Sequence, residues 1–493
     1  MPDYMFQLES RLSPEQRAAM VRIQELAAES ETNLYLVGGA VRDVISGMPI
    51  RDLDFTIEGN PGRIVRELEK GGAKVVREDE TLRAIELVLS GDVDASTSAA
   101  RDDIYSRPGA KAEYRFSTIM EDLKRRDFSI NAIAISLNPN SRGLLLDPTN
   151  GLADLERHEI RALSIHSFTN QPLRLLRALR YVARMGFKME NRTSEWFALA
   201  IDRELQETIS PEDAGSEFRN MAREEKPGAV LKAWESQGLL SVIHPLLAKK
   251  HPGYDSINQI IRVREDMITA GLRPRLFAPV VLASLGRLKD RERASALNRL
   301  SLPAMELRAV ESLETEALKT VKILAGSKTA SARDAYAFLE KAPLDFLAYI
   351  LAESSNSKAV GKIRTYLNKW KPIRQALPSV ATELEALGME RGPKFDKVLE
   401  DFFQLQLLGR ARKPEDHAKI LRKLAGIKEP PKKTEEKKKP EKSKKKAGFA
   451  PVQASAVAAA AAAAQAKGKQ SKMPPAKPAP PEPVKFKVKA KKT

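Results

Sequence analysis

Apolar and polar positions follow two different periods along this chain. Within the first 160 residues, short apolar or alternating runs with the two-residue period of β-structure predict strands at residues 34–37, 52–57, 73–76 and 84–89. A helix is predicted before them, starting at Ser13-Pro14, a capping serine followed by a first-turn proline. From about Gln171 to about Ala425 the apolar spacing is helical almost throughout. The pattern therefore predicts an α+β chain, with a mixed sheet first and all-α domains after it.

These changes of pattern divide the chain into four predicted segments. We expect the sheet domain over residues 1–160, a first helical domain over 161–250, a second helical domain over 251–427, and a tail over 428–493. The helical part is predicted to form two or three small bundles. The tail is rich in Lys, Pro and Ala and can bury too little apolar surface to offset the entropy of ordering its backbone. It is therefore predicted to be disordered.

Most of the positive charge lies in this tail. The formal net charge is +18, from 83 Lys and Arg against 65 Asp and Glu. Residues 428–493 contain 19 Lys, 5 Glu and neither Arg nor Asp, a net charge of +14 that leaves +4 for residues 1–427. Such a tail could attract RNA phosphates without reading sequence, and the alternative is a merely solubilising extension. Charge alone therefore does not identify a function.

Composition excludes several classes of protein. The chain has no cysteine, which excludes disulfide scaffolds, zinc fingers and thiol catalysis. No apolar run approaches the roughly 18 residues that a membrane span requires, and the N-terminus lacks the pattern of a signal peptide. We therefore expect a cytoplasmic protein with no membrane partner, and the sequence does not indicate an oligomeric state.

The strongest chemical signal is a glycine pair followed by two spaced carboxylates. A predicted strand leads into Gly38-Gly39 and a short helix, so that backbone and helix N-terminus can approach phosphate oxygens. Asp52 and Asp54 lie two apart on a predicted strand, which places both side chains on one face. There they could hold a pair of Mg²⁺ ions for an in-line phosphoryl displacement. Either motif alone favours a plain glycine turn or a solvated acidic strand, but their order and spacing favour a site.

Together with two later motifs, this signal resembles a known family. Over about residues 30–245 the chain resembles bacterial class II CCA-adding enzymes and the related poly(A) polymerases, through the motifs Gly38–Asp43 with Arg51–Phe55, Arg125–Ala132, and Pro172–Arg180. The resemblance implies that residues 1–160 form a nucleotidyltransferase head of the polymerase β type. It implies that residues 161–250 form a helical neck binding the nucleotide base and RNA, followed by a helical body.

The resemblance also implies a role for each matching residue. The implied groups are Asp52 and Asp54 for metal binding and catalysis, Gly38, Gly39 and Arg42 for the triphosphate, Arg126, Asp127 and Asn131 for phosphate and ribose, and Gln171, Arg174 and Arg177 for the base. Asp127 and Asn131 lie four apart and are predicted to share one helical face. Arg177, Arg180 and Arg184 also recur at helical spacing, which predicts either a path for RNA phosphates or a solvated face.

Two positions depart from the family's usual pattern. The third active-site carboxylate usually lies on a following strand, where Asp94 is the candidate despite different spacing, and the alternative is a surface Asp in a polar loop. Class II enzymes usually carry Glu-Asp before the base-reading arginine, whereas this chain has Asn170-Gln171. Gln171 offers both an acceptor and a donor, where Asp would only accept. We expect looser or altered base selection.

The expected activity is that of a template-independent RNA nucleotidyltransferase. The resemblance implies addition of CCA, or part of it, to tRNA 3′ ends from CTP and ATP, with Mg²⁺ as cofactor. A poly(A) polymerase acting on RNA 3′ ends is the first alternative, because the head motifs do not separate the two activities. A catalytically idle RNA-binding protein on the same scaffold is the second.

Overall fold

The structure is a computed structural model that describes residues 3–80, 83–105, 113–411 and 414–427. These residues belong to one compact unit, Met1–Glu429. The tail that the sequence predicts to be disordered, residues 428–493, lies outside the described residues. Within the described residues, no helix combines the length and the apolar character needed to cross a membrane.

The first part of the chain folds around a mixed sheet, as predicted. The strands are β1 (Asn33–Val37), β2 (Leu53–Glu58), β3 (Lys74–Asp79), β4 (Ala84–Leu89), β5 (Val93–Ala99), β6 (Arg101–Ile104), β7 (Glu113–Phe116), β8 (Ala134–Ser136), β9 (Leu145–Leu146), β10 (Glu159–Ile160) and β11 (Lys188–Met189). Seven of them form one sheet in the order β3-β4-β5-β2-β1-β8-β9. Only β2 and β5 pair in parallel within it. The pairs β6–β7 and β10–β11 stand apart.

Helices make up most of the rest. They are α1 (Tyr4–Arg11), α2 (Pro14–Glu29), α3 (Gly38–Ile45), α4 (Gly62–Lys70), α5 (Ile119–Lys124), α6 (Gly151–Arg157), α7 (Ser167–Asn170), α8 (Arg174–Met185), α9 (Asn191–Asp202), α10 (Pro211–Ala222), α11 (Pro227–Ser236), α12 (Leu240–Ile243), α13 (Pro245–Lys250), α14 (Tyr254–Thr269), α15 (Phe277–Leu285), α16 (Asp290–Arg299), α17 (Ala304–Ala325), α18 (Ala332–Lys341), α19 (Leu344–Glu353), α20 (Ser357–Thr365), α21 (Lys371–Gln375), α22 (Leu377–Ala386), α23 (Pro393–Leu407) and α24 (Pro414–Ala425). The predicted start of α2 is correct, because Ser13 and Gln16 form a reciprocal capping box.

One hydrophobic core runs from the sheet into the helical body. Its buried members extend from Leu8 through Phe55 and Trp234 to Leu407, so head, neck and body share one apolar interior. A separate small cluster around Phe402 and Leu421 lies among α22, α23 and α24. The helices therefore bury their apolar faces against one large core and one small one, and their division into two or three bundles stays a prediction.

Candidate active site

The glycine pair and the two carboxylates meet at the end of β1. Gly38 has φ +63°, a conformation that strains an L side chain, and α3 begins there. A Cβ at Gly39 would lie 3.5 Å from Asp54 Oδ2 and 3.8 Å from Asp52 Oδ1. A Cβ at Gly38 would lie 3.3 Å from a guanidinium nitrogen of Arg126. Three motifs that are far apart in sequence therefore line one small space, which only glycines leave open.

The surroundings of Asp54 disfavour its ionised form. Burial and the neighbouring Asp52 raise the pKa of Asp54 from 3.8 to about 6, although the Ser96 hydroxyl donates a hydrogen bond of 2.7 Å to Asp54 Oδ1. Two close carboxylates repel each other when both are ionised, and a hard divalent cation with oxygen ligands would remove this repulsion. The residues present therefore fit a metal ion such as Mg²⁺.

Asp94, the predicted third carboxylate, is not joined to this pair. Strand β5 runs parallel to β2 with Ser96 opposite Asp54, so a hydroxyl occupies the position beside the carboxylates. Asp94 lies two residues earlier on β5, where it pairs with Arg275 of the body at 3.3 Å and its side chain is 44% exposed. Among the residues that the structure describes, no three His, Cys, Asp or Glu side chains are grouped to hold a metal. In this structure Asp94 is engaged by Arg275, and its role as a third carboxylate stays a prediction.

Arg42 lies beneath the glycine loop. Its guanidinium donates to Asp43 Oδ1 at 2.9 Å and to Asn131 Oδ1 at 2.6 Å, and only 1% of the residue is exposed. One of its nitrogens lies 3.5 Å from the position that a Cβ of Gly39 would take. Arg42 therefore braces the loop from behind, and a contact with triphosphate stays a prediction.

Asp127 and Asn131 come together through a short turn. The prediction of a shared helical face is wrong, because α5 ends at Lys124, Phe128 is extended, and only Ser129–Asn131 form a 3₁₀ turn. The Asn131 amide nevertheless donates to Asp127 Oδ1 at 3.0 Å. Burial opposes ionisation of Asp127, but Arg177 and Arg174 outweigh it and lower its pKa to about 2. Asp127 is therefore an anion at neutral pH.

Arg126 is a half-buried cation next to the glycine loop. Asp122, which is fully buried, accepts hydrogen bonds from Arg126 at 3.1 and 2.9 Å, and Thr56 Oγ1 accepts a third at 3.1 Å. Burial would raise the pKa of Asp122, but Arg126 and Arg125 lower it overall. Asp122 was not predicted from the sequence. The only signal for it is a carboxylate four positions before Arg126, which is too common to be selective.

The spaced arginines of α8 form buried or half-buried ion pairs, so the alternative of a solvated face is wrong, while contact with nucleotide or RNA stays a prediction. Their partners are Glu217 for Arg177 at 2.8 Å, Glu217 and Glu224 for Arg180, both at 2.9 Å, and Asp43 for Arg184 at 2.6 Å. Arg177 also pairs with Asp127 at 3.0 Å. Their spacing therefore serves packing between α8, α10 and the head rather than contact with solvent.

These ion pairs belong to a closed ring of charges that joins head and neck. Arg184 and Arg42 both donate to Asp43. Arg42 also donates to Asn131, whose amide donates to Asp127. Glu217 and Glu224 complete the ring on the neck side, and neither is predicted from the sequence as an ion-pair partner. A signal was present, since these two glutamates lie seven apart and match the arginine spacing on α8. The ring fixes the ribose motif against the helix predicted to read the base.

Gln171 and Arg174 contact each other at the start of α8. Arg174 Nε donates to Gln171 Oε1 at 2.9 Å, and a second nitrogen of Arg174 donates to the Arg125 carbonyl at 2.9 Å. Burial, which outweighs the neighbouring Asp127, lowers the pKa of Arg174. The structure thus joins the predicted base-reading pair to the Arg125–Asn131 motif.

A cleft of about 1100 Å³ is lined by residues of the head and of the body, and neither Asp52 nor Asp54 is among them. Arg51, Arg273 and Arg275 are among its lining residues, and Arg51 directly precedes Asp52. Positive side chains at the mouth of a site favour an anionic ligand. Because Glu15, Asp92 and Asp345 also line the cleft, its charge is mixed and does not by itself indicate a ligand.

Several known proteins are similar to this chain. Residues 34–161 match the Poly A polymerase head domain. The A-adding tRNA nucleotidyltransferase of Halalkalibacterium halodurans is 31% identical over 83% of this chain and 92% of its own length. The CC-adding tRNA nucleotidyltransferase of Deinococcus radiodurans is 36% identical over 36% of this chain and 48% of its own length. The structure of the Thermotoga maritima CCA-adding enzyme complexed with tRNA covers 86% of this chain and 98% of that chain, at 24% identity and a TM-score of 0.44.

Proposed function

The chain belongs to the tRNA nucleotidyltransferase family with a poly(A) polymerase head domain, and we propose that it extends tRNA 3′ ends by adding AMP. The observation that carries the proposal is the meeting of Gly38-Gly39, the Asp52–Asp54 pair and Arg126 in one pocket. The choice of AMP is supported by the A-adding relative, whose similarity extends over most of both chains.

The two carboxylates would hold Mg²⁺ in this reaction. When held there, Mg²⁺ would supply Lewis-acid activation of a 3′-hydroxyl and charge stabilisation of the leaving pyrophosphate. Gly38 and Gly39 leave room for phosphate oxygens against the backbone, and Arg126 supplies positive charge beside them. Asp122 and Thr56 keep the Arg126 guanidinium in place before the nucleotide arrives. The protein's own contribution is thus a preorganised pocket of opposite charges.

Asp127 and Asn131 would bind ribose hydroxyls. Asp127 is anionic and both of its oxygens are already oriented, one by Asn131 and one by Arg177. Asp127 Oδ1 also accepts from the Phe128 backbone N–H at 2.7 Å, so Oδ2 is the oxygen that keeps a second lone pair for a ribose hydroxyl, and the Asn131 amide keeps a second N–H. The ring of ion pairs prevents either side chain from turning away.

Addition of C, or of the whole CCA end, is the second candidate. It is supported by the higher identity to the CC-adding relative, which is confined to 36% of this chain. A donor-only group such as Arg174 meets an acceptor on either base, N1 of adenine or N3 of cytosine. The pocket chemistry therefore leaves C addition open, and the product decides.

In the test, the protein is incubated with Mg²⁺ and labelled CTP, labelled ATP or both. The tRNA substrates end before the CC sequence, within it or after it. One AMP added only to tRNA ending in CC supports the proposal, and CMP incorporation supports the second candidate. A long A tail would instead indicate a poly(A) polymerase. No incorporation above the Asp52→Ala background would leave an idle RNA-binding protein. Asp266→Ala, an exposed carboxylate on α14, is the matched control and should retain activity.

A further inference from the structure

Gln171 is engaged at both ends of its amide. Its Oε1 accepts the hydrogen bond from Arg174 Nε at 2.9 Å, and its Nε2 donates to the Tyr105 hydroxyl at 2.5 Å. An Asp at this position could accept from Arg174 but could not donate to Tyr105 in the same way. The neutral side chain therefore bridges two residues 69 positions apart in sequence.

Tyr105 is held in place and can accept the hydrogen bond from Gln171. It directly follows β6, whose Asp103 pairs with Arg125 at 3.1 Å, so both Tyr105 and the Arg125 carbonyl that holds Arg174 belong to one connected group. Burial and the neighbouring Asp103 raise the pKa of the Tyr105 hydroxyl, which stays protonated at neutral pH. The hydroxyl oxygen thus remains a neutral acceptor for the Gln171 amide.

Arg174 is held along two of its edges by these contacts. Nε faces Gln171 and one terminal nitrogen faces the Arg125 carbonyl, while 7% of the residue is exposed. A guanidinium fixed in this way presents its remaining N–H donors in one direction. Donors match N1 of adenine, which accepts, and oppose N1 of guanine, which carries hydrogen.

We propose that Tyr105 is a positioning residue for base selection, which acts by holding Gln171 as a brace so that Arg174 alone meets the base. This rests on the proposed function of the pocket as a nucleotide site. Gln171 then contributes orientation rather than a contact with the base, unlike the Asp of the family pattern that this chain resembles. Tyr105 lies outside the motifs that carry that resemblance.

The test compares ATP with GTP in a double-mutant cycle of Tyr105→Phe and Gln171→Leu. Equilibrium dissociation constants for both nucleotides are measured, together with kcat and KM on tRNA ending in CC. Loss of one oriented hydrogen bond, about 1–1.5 kcal/mol, lowers the preference for ATP over GTP about five- to tenfold. Because both residues act through one bridge, the double variant should lose no more than either single variant. Gln171→Glu, to which the Tyr105 hydroxyl can donate, should recover most of the preference.

Three results would overturn the positioning role of Tyr105. Losses that multiply in the double variant, or a preference unchanged by Tyr105→Phe, overturn it, as does equal binding of ATP and GTP by the wild type. Tyr254→Phe is the matched control, since it removes a tyrosine hydrogen bond to Glu235 on α11, 2.8 Å long, and should leave the preference unchanged. If the dissociation constants follow the expected pattern while no nucleotide is transferred, the proposed function fails and the positioning role stands.

Discussion

Replacing Asp54 by Asn is expected to stabilise the metal-free protein at neutral pH while abolishing nucleotide transfer. In the folded state burial and Asp52 keep Asp54 protonated up to about pH 6, whereas an unperturbed Asp ionises near 3.8. Above both values the folded protein carries a charge on Asp54 that its half-buried setting and Asp52 disfavour. Asn has nearly the same shape without that charge, so the variant avoids the penalty.

The size and sign of the effect follow from the two pKa values. Their difference of about 2 corresponds to about 3 kcal/mol, at about 1.4 kcal/mol for each pKa unit. This is an upper bound, because Asp54 is only half-buried and the variant loses the charge-assisted bond from Ser96, so we expect about 1–2 kcal/mol at pH 7.5. As the pH rises from about 4 to about 6, the unfolded state releases its proton first, and wild-type stability falls across this window. Below it both states are protonated and the advantage of the variant disappears.

The assay is urea unfolding of both proteins in EDTA at several pH values. The free-energy advantage of Asp54→Asn should fall by roughly half between pH 7.5 and pH 5. Added Mg²⁺ should then stabilise the wild type more than the variant, because only the wild type keeps both carboxylates. Asp266→Asn, on the exposed face of α14, controls for a general loss of negative charge. An advantage that is equal at both pH values, or a variant less stable at pH 7.5, would refute the reasoning.

Three further predictions concern other parts of the molecule. Glu217→Gln should lower the free energy of unfolding by roughly 3 kcal/mol, because Arg177 and Arg180 then lack their shared buried anion, while the exposed Glu225→Gln should leave the melting temperature unchanged. Gly39→Ala should reduce kcat at least tenfold, because the added Cβ fills the space in front of the carboxylates. The melting temperature should change little, because that Cβ meets no atom closer than 3.5 Å, and full activity of the variant would contradict this prediction. Deletion of residues 428–493 should weaken tRNA binding mainly at low salt and leave kcat at saturating tRNA unchanged, and a collapse of kcat would show that the tail takes part in turnover.

Much of the fold and part of the site were predictable because their signals are local. The strand at Ala84–Leu89 and the capped start of α2 follow from periodicity and capping within a few residues. The Gly38-Gly39 turn and the Asp52–Asp54 pair depend on backbone freedom and on strand alternation, which also act within a few residues. A short-range rule was wrong where tertiary structure overrode it, as for Asp127 and Asn131, which meet through a turn rather than a helical face.

The sequence by itself determined the order of sheet and helices, the paired carboxylates and the excess of positive charge in the tail. Only the tertiary structure decided the partners of each charged side chain. Sheet register placed Ser96 rather than Asp94 beside Asp54, and packing of α8 against α10 turned a row of arginines into buried ion pairs. The tertiary structure also joined Gln171 to Tyr105 through a hydrogen bond. The physical reason is the distance along the chain over which each effect acts. Periodicity and propensity act between neighbouring residues, whereas burial, register and ion pairing join residues that only folding brings together.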